Sequence, residues 1–397
     1  MEQNADGGSR VRIKLGIAGL GLAGAMMVRA AAVHPRIELC AAADPLERPR
    51  LTFEREFGGR TYDVFEDLCD DKEVEAIYIA TPHEFHADQA VRALACGKHV
   101  LVEKPLALTL ADCDRIIDAD NASDGALIVG HTHAYDPNVR AIRRLVEAGE
   151  IGRLGMVMTF NYTDFLYRPR RPEELDTRRG GGIVFNQVSH QIEITRLIAG
   201  GMTRSVRACA GALDPSRPTE GHSAALLEFE NGACASLVYS GYDFFDSDEL
   251  HSWVAEGGGA KLANSHGSRR REVMSAPVAE HDRQKNMGLG GRILPAEQPF
   301  LPHFGKLVVT GERGDLSLSS TGLVKFDVSG KHEIPVPRGV GRPGHGDALD
   351  ELWAVIREGR DTPFTARWGK ATLEVALAIL ESSRERRDIQ LKHQVAC

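Results

Sequence analysis

The chain is poor in the features that would tie it to a secreted, membrane or nucleic-acid context. Its seven cysteines in 397 residues (Cys40, Cys69, Cys96, Cys113, Cys209, Cys234 and Cys397) are scattered, odd in number and free of any CxxC pair. That argues against a disulfide framework or a zinc site and suits reduced thiols. No apolar run is long enough to span a bilayer. The opening "MEQNADGGSR" lacks the apolar segment of a signal peptide. A net charge of −8 argues against the basic face that nucleic acid requires. No internal repeat is visible. The expectation is a cytoplasmic protein with neither membrane nor nucleic acid as partner.

What is present is enough chain for two domains, each with its own core. From residue 11 to 134, short apolar runs alternate with helical stretches: "VRIKLGIAGLGLAGAMMVRAAAVHP", "IELCAAADP", "VEAIYIATP", "HVLVEKP" and "ALIVGHTH". That alternation predicts βαβ units and a doubly wound parallel sheet, an α/β Rossmann domain behind a disordered tail at 1–10. From 135 to 397 the pattern changes to strand-like runs broken by turn signals such as "ENGA" and "ERGD". It predicts an α+β domain with a large, mainly antiparallel open sheet. Residues 258–300, rich in Gly, Arg, Ser and Pro, read as an irregular insertion near the substrate or at an oligomer contact. Two helices near the C-terminus, "GDALDELWAVIREG" and "GKATLEVALAILESSRERR", are expected to cover a sheet, with packing back on the first domain as an open alternative.

"GIAGLGLAG" places Gly19-x-Gly21-x-x-Gly24 between a strand and a helix, with Leu20 inside the loop. The first glycine permits the tight turn, the second lets backbone approach a pyrophosphate, and the third lets helix pack on strand. The phosphates then meet the positive helix N-terminus. Asp44, twenty residues after Gly24, ends the next strand and can accept hydrogen bonds from ribose hydroxyls. Its charge would repel a 2′-phosphate, which favours NAD over NADP; Arg48 and Arg50 close by weaken that preference. "HVLVEKPLALT" puts Glu103-Lys104-Pro105 at a strand end, where such sheets bind ligands. A lysine there can hold a substrate hydroxyl and stabilise developing negative charge.

The order of GxGxxG, "ADP", "TPHEFH", "EKP" and a glycine-initiated helix bearing a histidine resembles the Gfo/Idh/MocA oxidoreductase family. The resemblance covers nearly the whole chain. It implies a Rossmann domain, a C-terminal α/β domain whose open sheet forms homodimers or homotetramers, and cofactor contacts at Thr81, Pro82, His83, His86, Glu103 and Lys104. It also implies that Lys104 is the catalytic lysine and His190, in "NQVSHQ", the catalytic histidine. The chain departs from the family at two places: Asn186 stands where an aspartate is usual, and Ala134 where an arginine is common. An asparagine amide orients a ligand but neither acts as a base nor supports a charged imidazole. Asp164 and Glu193 are candidates for the missing carboxylate. His131 and His133 share a strand face, but no third metal ligand is identifiable and hydride transfer needs none.

"NYTDFLYRPRRPEELDTRRGGG" gathers five arginines in an acidic chain just before the helix of His190. Two readings stand side by side. In one, Arg168, Arg170 and Arg171, interleaved with Pro169 and Pro172 and joined by Asp164, Tyr167 and Asn186, hold carboxylates of a small anionic ring substrate. Alternatively they pair with Glu173, Glu174 and Asp176 in a surface loop. The segment also resembles a narrower group, the phthalate cis-4,5-dihydrodiol dehydrogenases. That resemblance implies NAD-dependent oxidation of a cyclic dihydrodiol, whose product becomes aromatic and so needs a weaker base. A sugar or cyclitol dehydrogenase of the same family and a non-catalytic dinucleotide sensor are the alternatives.

Overall fold

The computed structural model describes residues 12–130, 132–275, 287–291, 298–338 and 343–397. The tail at 1–10 and His131 lie outside the described residues. The chain divides into two compact units. The described residues of the first fall within 12–130, 287–291 and 343–369; those of the second fall within 132–275, 298–338 and 370–397.

In the first unit six strands form one sheet: β1 Ile13–Ala18, β2 Ile37–Ala43, β3 Arg60–Tyr62, β4 Ala76–Ile79, β5 His99–Glu103 and β6 Leu127–Gly130. All neighbours are parallel, in the order β3-β2-β1-β4-β5-β6. The strands are near-continuous runs of Ile, Leu, Val and Ala because helices shield both faces, and β4 and β6 are buried along their whole length. The order reverses at β1, which sets the ligand crevice at the carboxyl ends of β1 and β4. The expected parallel doubly wound sheet is what forms. Helix His345–Glu358, far downstream in sequence, packs on helix Leu22–Ala32. Arg357 holds it to Glu75 at 2.9 Å, and Arg36 lies over the Trp353 ring at 4.1 Å.

The second unit is built on nine strands: β7 Leu154–Tyr162, β8 Thr203–Gly211, β9 His222–Phe229, β10 Cys234–Ser240, β11 Lys306–Gly311, β12 Gly314–Ser319, β13 Gly322–Asp327, β14 Gly330–Pro335 and β15 Ile389–Gln390. Their order is β14-β13-β12-β11-β7-β10-β9-β8-β15. Only β7 and β10 run parallel, so the sheet is mainly antiparallel as expected. One face carries alternate buried residues such as Val157, Leu227, Leu237 and Tyr239. Helix Ser189–Ala199 packs on β7 and β10, and every one of its residues is buried. Ser382 and Ser383 accept the backbone N–H groups of Ala208 and Ala210 at 2.9 and 2.8 Å. The other face leaves Met156 and Leu226 exposed.

The stretch read as irregular includes a helix, Ser268–Ser275. Its sequence, "SRRREVMS", has no apolar stripe, so periodicity gives no warning of it. Tertiary contacts hold it: Arg270 N–H donates to Asp243 Oδ2 at 2.7 Å, and the Arg270 guanidinium lies between the Tyr167 and Phe244 rings at 4.6 and 4.4 Å.

Candidate active site

Backbone does most of the work in the first unit. Gly19 N–H donates to Ala43 O at 2.8 Å, pulling the glycine loop onto the end of β2. A Cβ at Gly24 would lie 1.8 Å from Gly19 O, so only glycine lets the helix start there. A Cβ at Gly21 would meet nothing within 4 Å, which leaves open space beside the loop. Helix Leu22–Ala32 begins at once, with no acidic side chain in its first turn to compete for its N–H groups. These residues fit a dinucleotide pyrophosphate.

Asp44 closes the same region. Its Oδ2 accepts Leu20 N–H at 2.7 Å and its Oδ1 accepts Leu46 N–H at 2.9 Å. Burial pushes its pKa up, opposed by those two hydrogen bonds and by Arg50, whose Nη1 also donates to Asp44 O at 2.6 Å. Each carboxylate oxygen keeps a second lone pair, which is what ribose hydroxyls need. Sequence reasoning missed one neighbour of this loop. Leu289 N–H donates to Leu20 O at 3.0 Å, and a Cβ at Gly288 would lie 2.7 Å from the same oxygen. Residues 287–291 therefore rest on the glycine loop, and the glycines of "MGLGG" are the only local sign of it.

Around Lys104 the predicted residues also come together. A Cβ at Gly19 would lie 3.0 Å from Thr81 N, so the glycine loop and the turn after β4 are in contact. Thr81 Oγ1 donates to Gln89 at 2.6 Å, and Pro82 opens the turn that carries His83, whose ring meets that of His86 edge to face. His86 is fully buried, with Nδ1 2.8 Å from Pro105 O and Nε2 3.0 Å from Thr81 O. Burial lowers its pKa, with the charge of Lys104 adding to the effect against the two carbonyls. A neutral ring donates to one of these carbonyls at a time, so His86 fastens the Thr81 turn to the Lys104 turn. The Lys104–Pro105 bond is cis. Glu103 is held by the Tyr78 hydroxyl and by Lys104 N–H at 3.1 Å.

In the second unit the predicted residues fall into separate groups. Arg168 donates to Asp164 at 2.6 Å and to Glu256 at 3.3 Å. Burial alone would raise the pKa of Asp164, but Arg168, Lys261 and Arg269 outweigh it and bring it to about 2. Arg170 donates to Glu174 at 3.0 Å and to Phe165 O at 3.1 Å, with its guanidinium 3.8 Å from the Phe165 ring centre. Arg171 shares Glu174, at 3.5 Å, while Arg178 pairs with Asp176 and Arg179 with Glu173. All five arginines of the run thus have carboxylate partners; Arg170 and Arg171 pair within the loop as the surface-loop reading expected, whereas Arg168 turns to Asp164 and the distant Glu256. Tyr167 turns to Asp214, donating at 2.6 Å, and takes a hydrogen bond from Arg270.

Asn186 donates to Gly180 O at 3.2 Å and to Gly182 O at 2.8 Å, tying the glycine turn to the helix of His190. At Gly182 a Cβ would meet Glu220 Oε1 at 2.1 Å with φ at +79°, so that turn needs glycine. Val184–Val188 form one π-helical turn leading into the helix. His190 is 8 % exposed, its ring 4.8 Å from the His133 ring and 4.9 Å from the Phe304 ring. His133 Nδ1 lies 2.8 Å from Asp136 Oδ2. Behind these rings Tyr239 OH donates to Gln187 at 3.0 Å and shares a hydrogen bond with Thr163 at 2.6 Å. The candidate carboxylates are committed elsewhere: Asp164 to Arg168, and Glu193 to the Thr372 hydroxyl at 2.6 Å. Among the described residues no group of His, Cys, Asp and Glu could hold a metal ion. None of their helices is long and apolar enough to cross a membrane.

Comparison with known proteins places this geometry. Residues 13–131 match the model of the oxidoreductase family with NAD-binding Rossmann fold, GFO_IDH_MocA, and residues 139–254 match the GFO/IDH/MocA C-terminal domain. The chain is 36 % identical over 389 residues to 1-carboxy-3-chloro-3,4-dihydroxycyclohexa-1,5-diene dehydrogenase of Comamonas testosteroni, covering 94 % of this chain and 95 % of the relative. An inositol 2-dehydrogenase of Salmonella typhimurium is 34 % identical over 154 residues, 38 % of this chain and 46 % of that protein. The crystal structure of a Bordetella bronchiseptica RB50 protein, provisionally described as a dehydrogenase, superposes with a TM-score of 0.92 at 45 % identity, covering 96 % of this chain and all of that one.

Proposed function

The chain belongs to the Gfo/Idh/MocA oxidoreductase family as an NAD-dependent dehydrogenase, and from that premise we propose that it oxidises a carboxylated cyclohexadiene cis-diol. The reaction to test first is phthalate 4,5-dihydrodiol to 4,5-dihydroxyphthalate. The observation that carries the class is the end-to-end similarity to a dehydrogenase whose name specifies a ring diol bearing a carboxyl group. Gly19, Gly21, Gly24 and Asp44 would hold NAD, which when bound would supply the acceptor for the hydride leaving the ring carbinol carbon. Lys104 holds the hydroxyl and lowers the cost of negative charge on its oxygen. His190 takes the hydroxyl proton as the carbonyl forms. The ring ketone then tautomerises to a catechol, whose aromaticity draws the oxidation forward.

Arg168, Arg170 and Arg171 remain the proposed carboxylate binders. Their protein partners make this a matter of exchange: a substrate carboxylate competes with Glu174 or Glu256 for a guanidinium that is already paired. Arg171 gives the cleaner test, because its side chain is 30 % exposed against 12 % for Arg170. Removing Arg170 also leaves the largely buried Glu174 without that partner and so perturbs the fold. The exposed face of the nine-stranded sheet, with Met156 and Leu226, supports a homo-oligomer as part of the same proposal.

The experiment is NADH absorbance with enzyme, NAD and the phthalate dihydrodiol, set beside monocarboxylated dihydrodiols, inositols and aldoses. Turnover confined to the dihydrodiols supports the proposal; turnover of polyols alone overturns it in favour of a cyclitol or sugar dehydrogenase. Arg171→Ala should raise KM with NAD affinity unchanged, and an unaltered KM would remove that arginine from substrate binding.

A further inference from the structure

A buried imidazole that accepts a proton becomes a buried cation, which is costly unless an anion stands near it. At residue 186 the protein has an amide, and its two hydrogen bonds to glycine carbonyls are structural. A carboxylate does stand one ring away. Asp136, 1 % exposed, lies 2.8 Å from His133 Nδ1, and the His133 ring meets the His190 ring edge to face, 4.8 Å between centres with an interplanar angle of 86°. Phe304 packs on both imidazoles, at 4.8 Å from His133 and 4.9 Å from His190. All four residues lie in the second unit.

We propose that the Asp136–His133 pair positions His190 and steadies its positive charge, supplying through an intervening ring what a carboxylate at residue 186 would supply directly. The inference rests on the reading of His190 as the proton acceptor. Asp136 accepts the Nδ1–H of His133, which fixes that tautomer and the orientation of the ring. The ring in turn fixes His190 against Phe304. When the hydroxyl O–H bond breaks, its proton forms an N–H bond on His190 and stays there. The two rings meet edge to face, so no transfer to His133 is required. Burial pushes the pKa of Asp136 up, and His133 opposes that; with its carboxyl ionised beside His133, Asp136 makes the new imidazolium less costly. His133 and Asp136 are positioning residues.

The other titratable groups around the rings are Glu256, His303, Arg168, Tyr239, Asp164 and Asp248. Burial would raise the pKa of Glu256, but Arg168 outweighs it and keeps Glu256 ionised. Burial brings His303 down to about 4, so it is neutral near neutral pH. Asp164 stays ionised, and the buried Tyr239 stays protonated. Asp248, 3.7 Å from His303, is pushed up by burial to about 7 and so titrates near neutral pH, which makes it the competitor the test must separate.

The test follows the His190 ring by NMR in the full-length protein with NAD bound, using nitrogen-15-labelled histidine and assigning the signal by its loss in His190→Asn. Asp136→Asn should move the His190 midpoint down by about 1 pH unit, the shift expected on losing a nearby opposite charge. The acid limb of kcat/KM on the dihydrodiol should move the same way, with kcat reduced about tenfold and KM nearly unchanged. Asn186→Asp added to Asp136→Asn should recover most of both losses, and Asp248→Asn should leave the midpoint in place. Should Asp136→Asn not fold, His133→Phe keeps the ring contact but removes the partner that holds the buried Asp136 carboxyl ionised, and it is expected to shift the midpoint in the same direction. An unmoved midpoint in Asp136→Asn or His133→Phe overturns the proposal, as does an equal displacement in Asp248→Asn. Absence of dihydrodiol turnover by the unaltered enzyme defeats the functional reading alone, because the NMR midpoint needs no substrate.

Discussion

In the first unit the groups proposed to meet the cofactor are chiefly backbone atoms: the loop at Gly19, Gly21 and Gly24, the N–H groups opening helix Leu22–Ala32, and one carboxylate, Asp44, fixed by Leu20 and Leu46 N–H. In the second unit the groups proposed to serve the substrate are side chains whose charges are already balanced: Arg168 against Asp164 and Glu256, Arg170 and Arg171 against Glu174, His133 against Asp136. The difference follows from the ligands. A pyrophosphate is the same in every dinucleotide, so rigid backbone geometry serves it. A substrate carries its own pattern of charge and hydroxyls, and side chains are the adjustable part. A preformed ionic network keeps such side chains ordered when no substrate is there.

That contrast is broken or sharpened by four substitutions. Gly24→Val puts a side chain where a Cβ alone would sit 1.8 Å from Gly19 O, and it should weaken NAD binding by roughly a hundredfold or more, since close helix–strand packing at the phosphate loop is lost. Fluorescence titration with NADH measures it; near-normal affinity would mean the loop tolerates a shift that the geometry forbids. His190→Asn should lower kcat about a thousandfold, within the range for loss of a general base, with NAD affinity intact. A parallel loss of NAD affinity would show that the two functions are not separable.

Asp44→Ala should raise the NAD dissociation constant about tenfold, as expected for hydrogen bonds to a charged group, and narrow the preference over NADP. Loss of NAD binding with no gain for NADP would assign Asp44 to holding the loop. The smallest effect concerns pH. Folding raises the Asp248 pKa, so the folded protein holds a proton that the unfolded chain gives up near the ordinary aspartate value of 3.8. The contribution of this group to stability is full below that value, falls as pH rises towards about 7, and stays low above it. Asp248→Asn should flatten that stretch of the Tm–pH curve, by roughly 2 °C for each kcal/mol involved. An unchanged slope would mean that Lys261, which donates to Asp248 at 2.8 Å, neutralises it throughout.

Legibility differs between the units for the same reason that their chemistry does. Gly19, Gly21, Gly24 and Asp44 stand at spacings imposed by one βαβ unit, so short-range pattern is enough to find them. The i,i+3 and i,i+4 pairs of the arginine loop, Arg171–Glu174 and Arg170–Glu174, were visible as one of two readings. Arg168–Glu256, 88 residues apart, was not. His133 drew attention as a partner of His131 on a strand face; it sits instead in a short 3-10 turn, where Asp136 falls three residues on and reaches Nδ1. Asn186 was recognised as a departure, while what stands in for the missing carboxylate lay in another segment.

By itself the sequence determined the fold class, the family and the glycine loop, and it singled out Lys104 and His190 as the proposed catalytic pair. Each of these is written in local periodicity or in a fixed spacing along one or two elements. Tertiary structure alone decided that every arginine of the run is paired, that residues 287–291 rest on the glycine loop, that helix Ser268–Ser275 forms without an apolar stripe, and that Asp136 stands behind the rings at His190. Those outcomes depend on which distant side chains share a low-dielectric space. Burial and charge compensation are properties of that space, and no window along the chain contains them.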